Sequence, residues 1–211
     1  MSMQSWSKRL LNTVHGALIF RRRVEALADS LAIAIPSDAI RVLDLGCGDG
    51  QVAKAIMRRR PELVIEGVDV LVRPVTHIPV TVYDGGRLPF ADRQFDCVTI
   101  VDVLHHTDAP GLVLAEAARV ASSSVVIKDH VREGILAGLT LQLMDWAGNR
   151  GHDVRLNYNY FDANQWTELF ATAALKETYR QAKLGLYGPP VSWAFERRLH
   201  FVNRLDHINR A

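Results

Sequence analysis

The chain has 211 residues, of which 48% are hydrophobic, and its formal net charge is +2 at pH 7. That size and apolar content suit one ordinary domain with a full core, and the near-balance of charge argues against a nucleic-acid partner. Two cysteines make no disulfide framework, and the sequence shows neither a signal-peptide layout nor an uncharged apolar run of bilayer length. We therefore expect a cytoplasmic protein without stable membrane insertion.

The first 35 residues carry two amphipathic helical patterns. Apolar side chains recur at helical spacing at Leu10, Leu11, Val14, Leu18 and Ile19, and again at Val24, Leu27, Leu31 and Ala34. This periodicity predicts a helix over residues 6–34 with a break. We interpret residues 1–35 as an N-terminal helical cap, although the same pattern would also fit a helix that only packs on a sheet.

A strand expected near residues 40–46 runs into a turn with glycines at positions 46, 48 and 50. Glycine permits the positive φ angles of a tight turn and lets the backbone approach a ligand closely. A helix expected over residues 50–60 follows, so the free N–H groups of the turn lie at a helix N-terminus. The spacing G-x-G-x-G differs from the G-x-G-x-x-G of a dinucleotide turn. Asp44 would repel a pyrophosphate, but it could accept hydrogen bonds from an ammonium group.

The following segments alternate between strand and helix patterns, which is typical of a parallel sheet wrapped by helices. Strands are expected near residues 63–70, 79–84, 95–102, 124–130, 176–184 and 193–204, and helices near 110–120 and 162–173. Only residues 71–78 connect the second and third strands, whereas parallel neighbours normally need a crossover of about a dozen residues or more. The crossover helix should therefore be missing or reduced to a turn.

Three further motifs follow the glycine turn. Asp69 closes the second strand, where its carboxylate could accept both hydroxyls of a ribose, and the pattern D-x-x-x-LPF begins at Asp84. The fourth strand carries FD-x-V from Phe95 and is followed by Leu104-His105-His106. Together with the glycine turn, these motifs resemble class I S-adenosylmethionine-dependent methyltransferases of the type 11 subgroup, which modify small molecules and quinones.

The resemblance implies an α/β, Rossmann-like fold: a seven-stranded, mostly parallel sheet with helices on both faces and an antiparallel C-terminal hairpin. Residues 36–130 and 162–211 would form the cofactor domain, with S-adenosylmethionine as cofactor. In that family, the acid matching Asp84 binds the adenine amino group. The residues expected to bind the cofactor are Asp44, Gly46, Cys47, Gly48, Gly50, Asp69, Val70, Asp84, Gly85 and Val101.

Residues 131–161 form an insertion between the fifth strand and the next helix. It is punctuated by glycines and rich in aromatic and amide side chains, which can hold and orient a planar small molecule. We interpret it as a lid over an aromatic or quinone-like acceptor, with Trp146, His152, Tyr158 and Tyr160 as acceptor-binding residues. The aromatics would equally fit a role in packing the insertion onto the core.

Candidate general bases stand at two strand ends. His105 and His106 follow the fourth strand, while Asp129 and His130 close the fifth. Histidine suits proton removal because its unperturbed pKa is about 6.5. We favour His106 and His130 over His105. No metal is expected, since adjacent histidines point in different directions and no third ligand stands at a diagnostic spacing.

Two other functions are compatible with parts of the pattern. A protein that binds S-adenosylmethionine without turnover, as a partner of another protein, would keep the same motifs. A nicotinamide-dependent oxidoreductase would also place an acid near position 69, but it requires the other glycine spacing.

Overall fold

The computed structural model describes residues 20–71, 73–134, 136–148, 159–189, 192–195 and 199–208. It has the α/β architecture predicted from the sequence. Seven strands form one sheet: β1 Arg41–Leu45, β2 Val64–Asp69, β3 Val80–Val82, β4 Phe95–Val101, β5 Ala121–His130, β6 Leu175–Gln181 and β7 His200–His207.

The strand order in the sheet is β3-β2-β1-β4-β5-β7-β6. Strands β1 to β5 pair in parallel, whereas β7 pairs antiparallel with both β5 and β6. The predicted antiparallel C-terminal pair is therefore confirmed. The chain leaves β1 towards β2 in one direction and later returns to β4 on the other side, so the order reverses between β1 and β4. In open α/β sheets, ligands bind outside the carboxyl ends of the strands at this switch point.

Helices cover both faces of the sheet, because each buried strand alternates its side chains between two cores. One core joins β1 and β2 to a helix over residues 20–34, named α1, and to α2 Gln51–Arg59. The other core joins the sheet to α3 Pro110–Val120 and α5 Ala163–Thr172. None of the described helices is long and apolar enough to cross a bilayer.

Basic side chains at the end of α2 hold α1 in place. Arg59 pairs with Glu25 at 2.8 Å and with Asp29 at 2.5 Å. Arg60 donates to four carbonyls at or after the end of α1, those of Ala32, Ile35, Pro36 and Ser37, at 3.1 to 3.3 Å. The arginine run 58–60 is thus part of the docking of α1.

The structure differs from the sequence prediction in two elements. Residues 137–148, inside the predicted lid, form a helix named α4. The last strand was expected over residues 193–204, but Ser192–Phe195 form a short helix, α6, and β7 begins at His200. The prediction was wrong because Trp193 is 75% exposed, so its apolar side chain does not mark a buried strand position. As predicted, the described residues between β2 and β3 contain no helix.

Candidate active site

A cleft of about 260 Å³ lies at the switch point between β1 and β4. One part of its lining comes from the loops after β1, β2 and β3, and we call it the turn side: Leu45, Gly46, Gly48, Asp69, Val70, Leu71, Arg73 and Tyr83. The other part comes from α1, α4, the segments after β4, β5 and β6, and we call it the histidine side: Arg23, Asp102, Val103, His105, His106, His130, Met144 and Tyr187.

The glycine turn takes the backbone shape that its spacing predicts. Gly46, Gly48 and Gly50 have φ angles of +73°, +58° and +77°. Residues other than glycine rarely adopt this region. A Cβ atom on Gly46 would lie 2.3 Å from the side chain of Val103, whereas a Cβ atom on Gly48 would meet nothing within 4 Å. Gly48 therefore leaves open space in the cleft, where a ligand can approach the backbone.

Asp69 fastens this turn to the end of β2. Its Oδ2 accepts the N–H of Gly48 at 2.8 Å, and its Oδ1 accepts the N–H of Leu71 at 2.9 Å. The residue is 7% exposed and lines the cleft. Because an ionised carboxylate has about four lone-pair sites, two remain for ligand hydroxyls after these bonds.

Asp44 lies behind the turn, outside the cleft lining. It is buried, and its Oδ1 accepts the hydroxyl of Thr99 at 2.9 Å. Burial raises the pKa of this carboxyl to about 7, because the charged form loses its hydration. A cation bound nearby would restore the ionised form.

Other residues that the sequence assigns to the cofactor also lie outside the cleft lining: Cys47, Gly50, Asp84, Gly85 and Val101. The Sγ of Cys47 faces Gly67 of β2. A Cβ atom added to Gly67 would lie 2.4 Å from this sulfur. Asp84 is exposed, and its Oδ1 accepts the N–H of Gly86 at 2.9 Å. Gly85 lines a neighbouring groove. Val70, in contrast, does line the cleft.

All three predicted histidines line the histidine side of the cleft. The Nδ1 of His105 lies 2.6 Å from Oδ1 of Asp129, and both residues are buried. The His130 ring stands between two others, with centroids 4.7 Å from His105 and 4.8 Å from His200. Burial lowers the pKa of His130, and the nearby Lys128 ammonium lowers it further, so this ring is neutral at pH 7.

Asp102 is the main site residue that the sequence analysis missed. It follows β4 with a φ of +56°, an unfavourable value for a residue other than glycine. Its Oδ2 pairs with Arg23 of α1 at 2.7 Å, and its Oδ1 pairs with the fully buried Lys128 of β5. A lysine in the apolar run Val125-Val126-Ile127-Lys128 was the available signal, because buried lysines are almost always paired.

Burial opposes ionisation of Asp102, but the charges of Lys128 and Arg23 prevail and hold its pKa well below the usual range. Asp102, His105, Asp129 and His130 bring potential metal-ligand atoms within 4.8 Å of one another. The sequence predicts no metal here, and a physical argument favours that prediction. Both oxygens of Asp102 already bind cations, so a metal ion would be repelled by Lys128 and Arg23.

The four predicted acceptor-binding residues differ in where they lie relative to the cleft and to the described part of the chain. Tyr160 is 7% exposed and packs behind the cleft, with its ring stacked 5.9 Å from that of His105. Tyr160 is not among the residues that line the cleft and packs in an apolar cluster with Leu141 and Leu199, so its role in acceptor binding stays a prediction. His152 and Tyr158 lie outside the described residues, as does the side chain of Trp146. Met144 of α4 lines the cleft instead.

The turn side fits a nucleoside that carries a cationic amino-acid group better than it fits a dinucleotide. The open space at Gly48 admits a ligand against the backbone, and the Asp69 carboxylate can bind hydroxyls. Asp44 and Asp69 would both repel a pyrophosphate, and ionised Asp44 would favour an ammonium group.

Comparison with known proteins agrees with this geometry. The family model of the methyltransferase domain, type 11, matches residues 43–127. The demethylmenaquinone methyltransferase of Thermotoga maritima is 33% identical over an alignment that covers 38% of each chain. The 27-O-demethylrifamycin SV methyltransferase of Amycolatopsis mediterranei is 31% identical over 44% of this chain and 39% of its own length. The chain thus matches about two fifths of the length of these curated relatives.

A solved structure from Thermotoga maritima, described as a methyltransferase and possible histamine N-methyltransferase, aligns with a TM-score of 0.62. The alignment covers 94% of this chain and 96% of that chain at 18% identity, a level at which the likeness shows the fold alone. The family match covers the whole turn side of the cleft and the segment after β4, whereas Arg23, His130, Met144 and Tyr187 of the lining lie outside it. Residues 43–127 are therefore similar to the methyltransferase domain of type 11, and the curated relatives that match this part of the chain are methyltransferases.

Proposed function

We propose that the protein transfers the methyl group of S-adenosylmethionine to a small-molecule acceptor with an aromatic or quinone-like ring. The main support for this proposal is that two chemically different surfaces meet in one cleft. The turn side offers the open glycine backbone and Asp69, and the histidine side offers three imidazoles and a neutralised carboxylate.

When bound, the cofactor supplies a methyl group already activated by its positive sulfur. The work of the chain is to place the acceptor in line with that methyl group and to exclude water. We assign the ribose hydroxyls to Asp69 and the amino group of the cofactor to Asp44, which would act through water because it lies outside the cleft lining. Val70 and Tyr83, which also line the turn side, would pack beside the adenine ring. The adenine amino group stays assigned to Asp84, which is exposed and adjoins the cleft-lining Tyr83.

The acceptor would lie on the histidine side, under α4. Met144 and Tyr187 supply apolar surface there, and Arg23 connects α1 to the floor of the cleft through Asp102. The relatives support a ring-shaped acceptor, since their names describe a demethylmenaquinone and a demethylrifamycin as methyl acceptors. Residues 131–161 would serve as the lid over this acceptor.

A labelling experiment tests the proposal before the acceptor is identified. Purified protein is incubated with methyl-tritiated S-adenosylmethionine and the small-molecule fraction of a cell extract. We expect label to appear in an extractable product, and to be lost with Asp69→Ala. A folded protein that binds S-adenosylhomocysteine but transfers no label would instead be a binding protein without turnover.

The role of α4 can be tested with a matched pair of variants. Met144→Ala should reduce product formation by weakening acceptor binding, because Met144 lines the cleft. Leu139→Ala, on the same helix but 65% exposed and outside the lining, should leave product formation unchanged. Both variants should keep the affinity for S-adenosylhomocysteine. Equal rates for both variants would contradict a lid role for this helix.

A further inference from the structure

We propose that His130 removes the proton from a hydroxyl group on an aromatic ring of the acceptor, so that the product is an aryl methyl ether. This inference rests on the proposed methyl transfer and names the chemical class of the acceptor. It is carried by the geometry around His130, which differs from that of the other two histidines.

Two hydrogen bonds hold the backbone of His130, and its ring lines the cleft. Its own N–H donates to Oδ1 of Asp129 at 2.7 Å, and its carbonyl accepts the indole N–H of Trp166 at 2.9 Å. The described residues form no hydrogen bond with its buried ring nitrogen, Nδ1. Since Nδ1 is the buried nitrogen and the ring lines the cleft, Nε2 is the atom that faces an acceptor.

The other two histidines are placed less well for this role. His105 uses Nδ1 to contact Asp129 at 2.6 Å, and its Nε2 is buried. His106 also lines the cleft with its Nδ1 buried, but it is the ring of His130 that lies beside the carboxylates of Asp102 and Asp129. His105 therefore acts as a positioning residue, because it holds the Asp129 carboxylate beside His130.

Two carboxylates lie close enough to His130 to stabilise its protonated form. Its Nδ1 lies 3.5 Å from Oδ1 of Asp129 and 3.6 Å from Oδ1 of Asp102. A proton added to Nε2 places a positive charge on the ring, and attraction to both carboxylates offsets part of its cost in this buried site. The titratable or charged groups that face His130 are Arg23, Asp102, His105, Lys128, Asp129, Tyr160 and His200.

The charges of this cluster favour a neutral acceptor that loses a proton. Arg23 and Lys128 are balanced by Asp102 and Asp129, so the cluster is neutral while the imidazoles are neutral. A carboxylate acceptor needs no base. A protonated amine would lose its hydration beside a cluster that has no net charge, so no net attraction would offset that cost.

The low basicity of His130 further restricts the chemical class of the acceptor. Burial and Lys128 keep the pKa of His130 below its ordinary value, so the ring is a weak base. Proton transfer to a weak base is productive for an acidic hydroxyl such as a phenol, whose pKa is about 10 in tyrosine, and much less so for an aliphatic alcohol.

The step balances without another reactant. The acceptor oxygen forms the new C–O bond as the C–S bond of the sulfonium breaks, and the electron pair of that bond stays on sulfur. The hydroxyl proton passes to Nε2 of His130, which returns it to water after the product leaves.

The chemistry of the labelled product tests the acceptor class. Product from the wild-type protein, methyl-tritiated S-adenosylmethionine and the small-molecule fraction of a cell extract is treated first with mild alkali and then with boron tribromide. Methyl esters lose their label in alkali, whereas aryl methyl ethers survive alkali and release labelled bromomethane with boron tribromide. Methyl groups on nitrogen or ring carbon survive both treatments. Boron tribromide also cleaves aliphatic methyl ethers, so the demethylated product is then titrated. Release at the second step with a product that titrates as a phenol supports the inference. Release from an aliphatic alcohol, or label in either of the other pools, overturns it while leaving methyl transfer intact.

The role of His130 is tested with His130→Gln, and His77→Gln serves as control because His77 is exposed and lies outside the cleft lining. Since general base catalysis typically contributes about a hundredfold or more, His130→Gln should lower turnover by about that factor at unchanged affinity for S-adenosylhomocysteine. Because the pKa of His130 is held below the ordinary histidine value of about 6.5, wild-type turnover should fall only at a pH lower than that value, and this limb should be absent from the residual activity of His130→Gln. Unchanged turnover in a folded His130→Gln overturns the assignment. Absence of any labelled product from wild type would instead overturn the proposed methyl transfer itself.

Discussion

At the scale of single residues, the cleft depends on backbone positions that only some side chains tolerate. Gly48 and Gly134 both have positive φ angles, +58° and +93°, and a Cβ atom on either would meet nothing within 4 Å. They differ in location, because Gly48 lines the cleft and Gly134 does not. The two glycines therefore allow backbone strain to be separated from ligand contact.

Replacing each glycine with alanine should give different results for binding. Both Gly48→Ala and Gly134→Ala should lose about 1–2 kcal/mol of stability, the cost of a left-handed backbone in a residue with a Cβ atom. Only Gly48→Ala should also weaken S-adenosylhomocysteine binding, by about tenfold or more, because its methyl group fills the approach to the turn. Calorimetry and thermal melts measure both quantities, and equal affinities in the two variants would remove Gly48 from the ligand contacts.

Asp44 makes the stability of the ligand-free protein depend on pH. The pKa of the Asp44 carboxyl is 3.8 when the group is exposed, as in the unfolded chain. It is about 7 in the fold, because burial disfavours the charged form. The unfolded chain thus binds fewer protons between these values, so the contribution of Asp44 to stability is present below about pH 4 and is lost as pH rises through 7.

Asp44→Asn should therefore raise the melting temperature of the ligand-free protein at about pH 8 and change it much less at about pH 5. The same variant should bind S-adenosylhomocysteine more weakly, since the ammonium group loses its carboxylate. The exposed Asp38→Asn is the control and should change neither property. A variant that melts earlier than wild type at the higher pH would refute the ionisation argument.

At the scale of elements, α1 is held by polar contacts as well as by its apolar face. Arg60 donates to four carbonyls around the C-terminus of α1, where cations also favour the helix dipole. Arg58 makes one exposed ion pair with Glu25. Arg60 and Arg58 are close in sequence, but Arg60 makes more contacts with the end of α1 and should therefore contribute more to the stability of the fold.

Arg60→Ala should lower the free energy of unfolding by about 2 kcal/mol, because several carbonyls lose a charged donor. Arg58→Ala should lower it by less than about 1 kcal/mol, as is usual for an exposed ion pair. Denaturant titrations measure both values. If the two variants lose the same stability, the carbonyl contacts of Arg60 contribute nothing beyond an exposed ion pair.

The helices show where sequence patterns suffice and where they fail. Helices α2, α3 and α5 alternate apolar and polar faces, and their predicted bounds agree with the structure to within one or two residues. Helix α4 escaped prediction because its sequence is apolar on opposite faces: Leu141 is buried, while Leu139 is 65% exposed. Two-sided apolarity gives no helical period to detect.

At the scale of the whole molecule, the sheet brings together residues that are far apart in sequence. The alternation of strand and helix patterns was enough to predict the parallel strands and the acids at strand ends, and the resemblance to the methyltransferase family added the antiparallel C-terminal pair. The contact between Arg23 and Asp102 was not predictable, because it joins α1 to the end of β4 across 79 positions. The same holds for the Lys128 pair, whose partner is identified only when β4 and β5 lie side by side.

The cleft combines these local and long-range features into one site. Its turn side follows from a contiguous motif, and that is why most of it could be predicted. Its histidine side needs α1, β4, β5 and the segments after them to meet, so the sequence named the histidines but not the charged residues that fix their protonation.

Titration calorimetry with S-adenosylhomocysteine is the most direct test of cofactor binding on the turn side. We predict one binding site per chain. Asp69→Ala should weaken binding at least tenfold, because it removes charge-assisted bonds to the ribose worth about 1.5–3 kcal/mol each and releases the N–H of Gly48. Nicotinamide dinucleotides should bind far more weakly. Tighter binding of a nicotinamide dinucleotide, or an unchanged dissociation constant in a folded Asp69→Ala variant, would contradict the account.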